Sequence, residues 1–346
     1  MKTKFTIWAL VALFFGTMGC KKNDDLKPAI GNVPDPSLAA AGSCATPYTV
    51  STIAGSAYTS GPTLVDGVGK NARFLYAGGI QLMDDGTIYI ADGNESVIRK
   101  LSPGGVVSTI KLPAALGGER MLGSAYVGVA KDGTINVITG SNLNSDFPEA
   151  WIFKPGEPAF VYSSYYATYR TLAKDPYADI FWFTDGFSME KFKKNNTFGG
   201  IGTDRISFDG DSIFPDFGPH SSFSAMCIGY NKVKYLSDGY FLYKYTPEGK
   251  SQRIFKELGV EGFTNIRCTV VNKDGRTLYI VDAGYIRRID QGKVTTIAGP
   301  NASHDNRDGI GKQADVHASY LALSKDEGTL YFSDYQANAI RKITLR

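Results

Sequence analysis

Histidine and cysteine are scarce in this chain: three His and four Cys in 346 residues. That leaves little material for a zinc centre built from His and Cys ligands. A surplus of one charge is also missing. The 37 Lys and Arg stand against 34 Asp and Glu, a formal net charge of +3, which excludes a strongly basic nucleic-acid binder. No apolar run approaches the ~20 residues of a membrane-spanning helix; the uncharged run from Phe5 to Phe15 has eleven. There is no Gly-x-Ser-x-Gly elbow, phosphate loop or paired-carboxylate motif. No cofactor is expected.

Glycine and aromatic residues are plentiful. Gly accounts for 39 positions and Phe, Tyr and Trp for 12% of the chain, against a usual ~7% for Gly. With 43% hydrophobic residues there is enough apolar material for a large core. Together these point to many short strands joined by tight turns.

The first segment reads as an address. Lys2 and Lys4 precede the short apolar run, the pattern of a secretory signal. Thr17-Met18-Gly19-Cys20 follows and resembles a bacterial lipoprotein cleavage box, departing from it in the first position, where Leu is preferred. The resemblance implies cleavage before Cys20 and acylation of its sulfur and new amino group. Lys21-Lys22-Asn23-Asp24-Asp25 resembles the export tag of surface-exposed outer-membrane lipoproteins in some Gram-negative bacteria. Residues 21–46 contain Pro28, Pro34 and Pro36 without apolar periodicity and read as a flexible tether. With Cys20 acylated, Cys44, Cys227 and Cys268 are an odd number and cannot all pair within the chain. Free thiols are expected. Cys227 and Cys268 are offset by one position on neighbouring repeats, which disfavours a bond between them.

Residues 47–346 carry a repeat. Its anchor is a strand ending in Asp: Thr87 to Asp92, Thr277 to Asp282 and Thr329 to Asp334, with weaker copies ending at Asp185 and Asp238 and one ending at Thr139. The anchors lie 47, 46, 53, 44 and 52 residues apart, near the ~40–50 residues of a four-stranded propeller blade. An apolar strand a and a turn such as Asp85-Gly86 or Asp274-Gly275 precede the anchor; strands c and d follow, as in Ile98-Arg99-Lys100-Leu101 and Val107-Ser108-Thr109-Ile110. The segment Val50-Ser51-Thr52-Ile53-Ala54-Gly55 matches strand d but has no a, b or c before it, and the last repeat has no d. The expected fold is therefore all-β, a six-bladed β-propeller of four-stranded blades, its ring closed by the N-terminal strand completing the last blade.

These strings, with Asp66-Gly67-Val68-Gly69-Lys70 and Asp308-Gly309-Ile310-Gly311-Lys312, resemble bacterial NHL-repeat propellers. The resemblance is strong in the first and last two blades. It implies the six-bladed fold and leaves the activity open, because propellers host many functions.

We call the end where strand a begins the top. The d-to-a and b-to-c loops then lie on top, and the N-terminal strand enters from the bottom, so the lipid tether should leave the top face pointing away from the membrane. The top loops hold the candidate ligand-binding residues: Arg73, Arg120, Tyr165, Tyr166, Arg170, Phe187, Tyr240, Arg267, Tyr285 and Tyr335. The four arginines are expected near the channel mouth, and the aromatics could stack on a sugar or anchor a protein. The anchor aspartates read as structural, accepting backbone N–H bonds or pairing with strand-c arginines such as Arg99, Arg288 or Arg341.

The leading expectation is a monomeric, non-catalytic, lipid-anchored binding or scaffold protein of the bacterial outer membrane, exposed at the cell surface, with a glycan or envelope-protein partner and no nucleic acid. The alternative is a metal-dependent propeller lactonase or lyase, for which His317 near Asp315 would supply one corner.

Overall fold

The computed structural model describes residues 46–56, 63–93, 97–121, 123–139, 148–163, 169–185, 188–195, 200–207, 214, 222–254 and 262–346. They form six antiparallel sheets, each with four main strands in the order a-b-c-d. Blade one runs Ala77–Leu82, Ile88–Asp92, Val97–Leu101 and Val106–Lys111. Blades two, three and four start with strands a at Ser124–Val129, Arg170–Lys174 and Ala225–Ile228. Blade five runs Ile266–Val271, Thr277–Asp282, Tyr285–Asp290 and Lys293–Ala298. Blade six takes Ala318–Leu323, Thr329–Asp334 and Ala339–Thr344 from the end of the chain. Its strand d is Thr49–Gly55, paired antiparallel to the final strand with Val50 opposite Ile343 and Gly55 opposite Ala339. Each strand a packs beside the next, and the sixth packs against the first.

The Asp-Gly turns form for a local reason. Asp85 and Asp132 each accept the backbone N–H two residues on. The glycines that follow, Gly86 and Gly133, sit at φ +84° and +85°, where a Cβ would be strained.

The core lies between blades. Six apolar clusters of described residues each join two neighbouring blades. Strand b is buried on both faces, so Thr277–Asp282 is buried at every position and reads as a continuous apolar run. Many aromatics go here: Phe74, Trp151, Phe183, Phe223, Tyr243 and Phe332 are all buried. Tyr169, the residue before strand a of blade three, is buried and packs edge-on against Phe183 at 5.5 Å.

Two blades gain a short fifth strand. Gly67–Val68 pairs with strand d of blade one, and Gly309–Ile310 pairs with the closing strand of blade six. Asp66 and Asp308 begin these segments. Asp308 accepts both the N–H and the hydroxyl of Thr52 (3.0 and 2.8 Å), and Asp66 does the same with Thr109 (3.1 and 2.7 Å). The added strand covers a sheet edge that would otherwise be open, and in blade six it clamps the strand that closes the ring.

Behind the clamp lies a buried ion pair. Arg341 is fully buried and meets Asp334 at 2.7 Å and Asp308 at 3.1 Å. Its fork also donates to the carbonyls of Asp315 and Arg307. Blade one repeats the arrangement, with Arg99 bound to Asp92, Asp66, and the carbonyls of Arg73 and Val65. Removing one partner of such a pair strands a buried charge, at a cost of about 3–5 kcal/mol. Asp334→Ala should therefore lower the free energy of unfolding in denaturant by about that amount. The double change Asp334→Leu with Arg341→Met should lose much less; an equal loss in the two variants would show that the charge pair is not the source.

Candidate functional site

Besides pairing with strand c, the anchor carboxylates fix the loop residues that lead into strand a. Asp92 accepts the N–H groups of Leu75 and Tyr76 at 2.9 and 2.7 Å. Asp282 accepts those of Thr264 and Asn265, both at 2.8 Å. Asp334 accepts the N–H of His317 at 3.1 Å, and its other oxygen holds the turn after Tyr335 through Gln336 and Ala337. Burial pushes the Asp92 carboxyl above its ordinary value, and the Tyr76 N–H and Arg99 guanidinium pull it back only in part.

The residues so placed enclose a cavity of about 410 Å³ at the top, between blades five, six and one. Tyr76, Asn265, Arg267 and Tyr335 supply its larger side chains, and small residues such as Ala283, Gly284 and Ala318 leave the space. The ring of Tyr76 lies where a side chain at Gly93 would collide with it, 2.8 Å from the position of a Cβ. Tyr335 packs edge-on against His317 at 5.6 Å. Both tyrosines remain open to solvent, at 36% for Tyr76 and 41% for Tyr335. Arg267 is the one charged residue among the described residues of the lining; it is exposed and makes no ion pair with a described residue.

A second cavity, of about 550 Å³, runs along the central channel between the strands a. Its walls are apolar in the middle, with Leu82, Leu172, Met226 and Val270, and it reaches the bottom turns at Asp84, Lys131, Tyr177, Tyr230 and Lys325. Tyr126 and Tyr320 meet inside it edge to face at 5.3 Å. Burial raises both phenols; Arg170 acts on Tyr126 and Arg267 on Tyr320 in the opposite sense. Arg267 lines both cavities.

Of the ten residues expected to bind ligand, Arg267 and Tyr335 come together in the top cavity. Arg170 is exposed at the start of strand a in blade three, and its charge partly offsets the rise that burial causes in Tyr126. Arg73 is not at the channel mouth: its guanidinium folds onto the carbonyls of Lys70 and Ala72 in its own loop. Arg120 and Tyr240 are exposed but line neither cavity, and Tyr285 lies flat over Gly299. Tyr165, Tyr166 and Phe187 fall outside the described residues, as does Cys20. The aspartate pairing holds with one correction: Asp282 pairs with Arg287 at 2.9 Å, whereas Arg288 pairs with Asp290. Arg287 is the residue in register with Arg99 and Arg341, each directly after the first Ile of strand c. Sequence reasoning missed Tyr76 and Asn265. The signal was their place just before strand a, where the anchor carboxylate of the same blade must find its backbone partners.

The described histidines, His304 and His317, do not build a metal centre. His317 Nε2 lies 3.5 Å from Asp315, whose oxygens also accept the N–H groups of Asn301 and Asn306. Among the described residues no group of three or more His, Cys, Asp or Glu side chains could hold a metal ion. Cys227 and Cys268 are free thiols, and burial pushes them up to about 12 and about 11.

No family model and no curated protein matches the chain. Solved structures do. A protein of unknown function from Bacteroides thetaiotaomicron is 21% identical with a TM-score of 0.61, over 86% of this chain and 75% of that one. An auxiliary nutrient binding protein from Bacteroides ovatus is 16% identical with a TM-score of 0.62, over 86% and 76%. Virginiamycin B lyase from Staphylococcus aureus is 14% identical with a TM-score of 0.51, over 78% and 95%. The shared property is the fold. At such identities a binding protein and a lyase are equally compatible with it, so the site must decide between them.

Proposed function

We propose that this chain is a non-catalytic, lipid-anchored binding protein of a bacterial outer membrane, displayed at the cell surface, whose top cavity takes a glycan. The observation that carries the reading is the cavity itself: two partly exposed tyrosine faces, an amide and a guanidinium without an ion-pair partner among the described residues, around an open volume of about 410 Å³. Aromatic faces with a few placed polar groups suit a sugar, which offers both apolar faces and hydroxyls. What supports binding is the described lining of the cavity, which offers a ligand aromatic rings, an amide and a guanidinium. The rival lactonase or lyase would carry a stoichiometric metal.

The topology supports this orientation. The closing strand begins at Thr49 on the bottom face and ends at Gly55 on top, so a tether running from Cys20 would reach the propeller on the side opposite the cavity. We expect Cys20→Ser to move the protein from the membrane pellet to the soluble fraction; a variant that still pellets would contradict the lipid anchor.

Ligand binding is tested with a glycan screen on the purified full-length protein. Tyr76→Ala and Tyr335→Ala should each weaken the captured glycan roughly tenfold, in line with the ~0.5–1.5 kcal/mol of an aromatic contact beyond its area. Tyr177→Ala, on the bottom face, should leave binding unchanged. A ligand that is lost with Tyr177 and kept without Tyr76 and Tyr335 would move the site to the channel.

A further inference from the structure

The geometry points to an acidic saccharide, one bearing a sugar carboxylate, as the ligand of the top cavity, with Arg267 as the residue that selects it. This rests on the glycan reading above and goes beyond it by assigning the charge class.

Six guanidinium groups of the propeller are spent on carboxylates. Arg99, Arg287 and Arg341 each face an anchor carboxylate. Arg205 stands beside Asp185 and Glu190, Arg288 beside Asp290, and Arg307 beside Asp305. Arg267 differs from all of these. It projects from the bulge at the start of strand a in blade five, where the register shifts between Ile266 and Cys268. It faces the cavity with no ion-pair partner among the described residues.

The carboxylates that could neutralise it are committed elsewhere. Asp282 and Asp334 are fully buried and bound to their own loops and arginines. Among the described residues no acidic side chain lines the cavity. An unneutralised guanidinium in a cavity that also holds two tyrosines attracts an anion. Its planar fork matches a carboxylate through two parallel hydrogen bonds, while Tyr76 and Tyr335 are placed to hold the ring that carries the carboxylate. Arg170, another exposed cation at the start of a strand a, acts on Tyr126, whose ring packs against Tyr320. A longer acidic chain crossing the mouth would meet it with a second carboxylate.

The test uses purified full-length protein and two probes of equal length, tetragalacturonate and its neutral counterpart galactotetraose, in isothermal titration. The acidic probe should bind at least tenfold more tightly, and the preference should shrink as salt rises. Arg267→Gln should cost the acidic probe about 10- to 100-fold, the range of a charge-assisted hydrogen bond. It should leave the neutral probe within about twofold and so erase the preference. Arg276→Gln, which removes the same charge from a bottom turn, should change neither. Equal affinity for the two probes, or an Arg267→Gln variant that keeps the preference, would overturn the charge assignment while leaving glycan binding intact. Failure of both probes and of every glycan in the screen would overturn the glycan reading along with it.

Discussion

A buried carboxylate facing a buried guanidinium organises both the blades and the site. In blades one and six the anchor Asp at the end of strand b meets the Arg of strand c with both side chains fully buried. One carboxylate thus engages strand c and, through its other lone pairs, the loop entering strand a. The arginine then reaches outward to Asp66 or Asp308, which hold strand d. A single chain of charge-assisted bonds therefore crosses each of these blades from the innermost strand to the outermost. Bonds from both terminal nitrogens of each guanidinium offset the cost of this burial, while the Nε of each is left without a partner among the described residues.

This arrangement is partly legible in the sequence. The repeat of Thr-x-Tyr-x-x-Asp and Ile-Arg-Lys sets the blade count, because period-two apolar strands and Asp-Gly turns are local signals. The match of Val50 to Gly55 with strand d sets the closure, since only one blade lacks that strand. The Asp–Arg pairing is visible as chemistry but slips by one residue in blade five, where Arg287 and Arg288 are adjacent and composition cannot choose between them. Register chooses, because side chains alternate faces along a strand.

The site is less legible. Aromatic or basic character in a top loop says nothing about which way that loop runs. Arg73 fails as a channel residue because its loop crosses the outer edge of the blade before turning inward, so its guanidinium finds carbonyls near Lys70 instead of the channel. Tyr169, just before strand a in blade three, is taken up by the core between blades two and three. Nothing in the identity of Tyr76 or Asn265 marks them. They matter because a distant carboxylate pins their backbone, a contact across 16 or 17 residues that no local pattern displays.

The anchor acids near the cavity hold loops and arginines in place, and what the described lining offers a ligand is positive and aromatic. A preformed cavity requires that the anchor carboxylates hold the loop ends rigidly. Residue-resolved amide hydrogen exchange on the unliganded protein tests this directly. The amides of Tyr76, Asn265 and His317 lie outside the strands, yet they should be protected as strongly as the strand-b amides of Ile90 and Ile280. Exchange at these three positions as fast as at exposed Leu116 would show that the carboxylates do not fix the loops, and the cavity would lose its claim to be a preformed site.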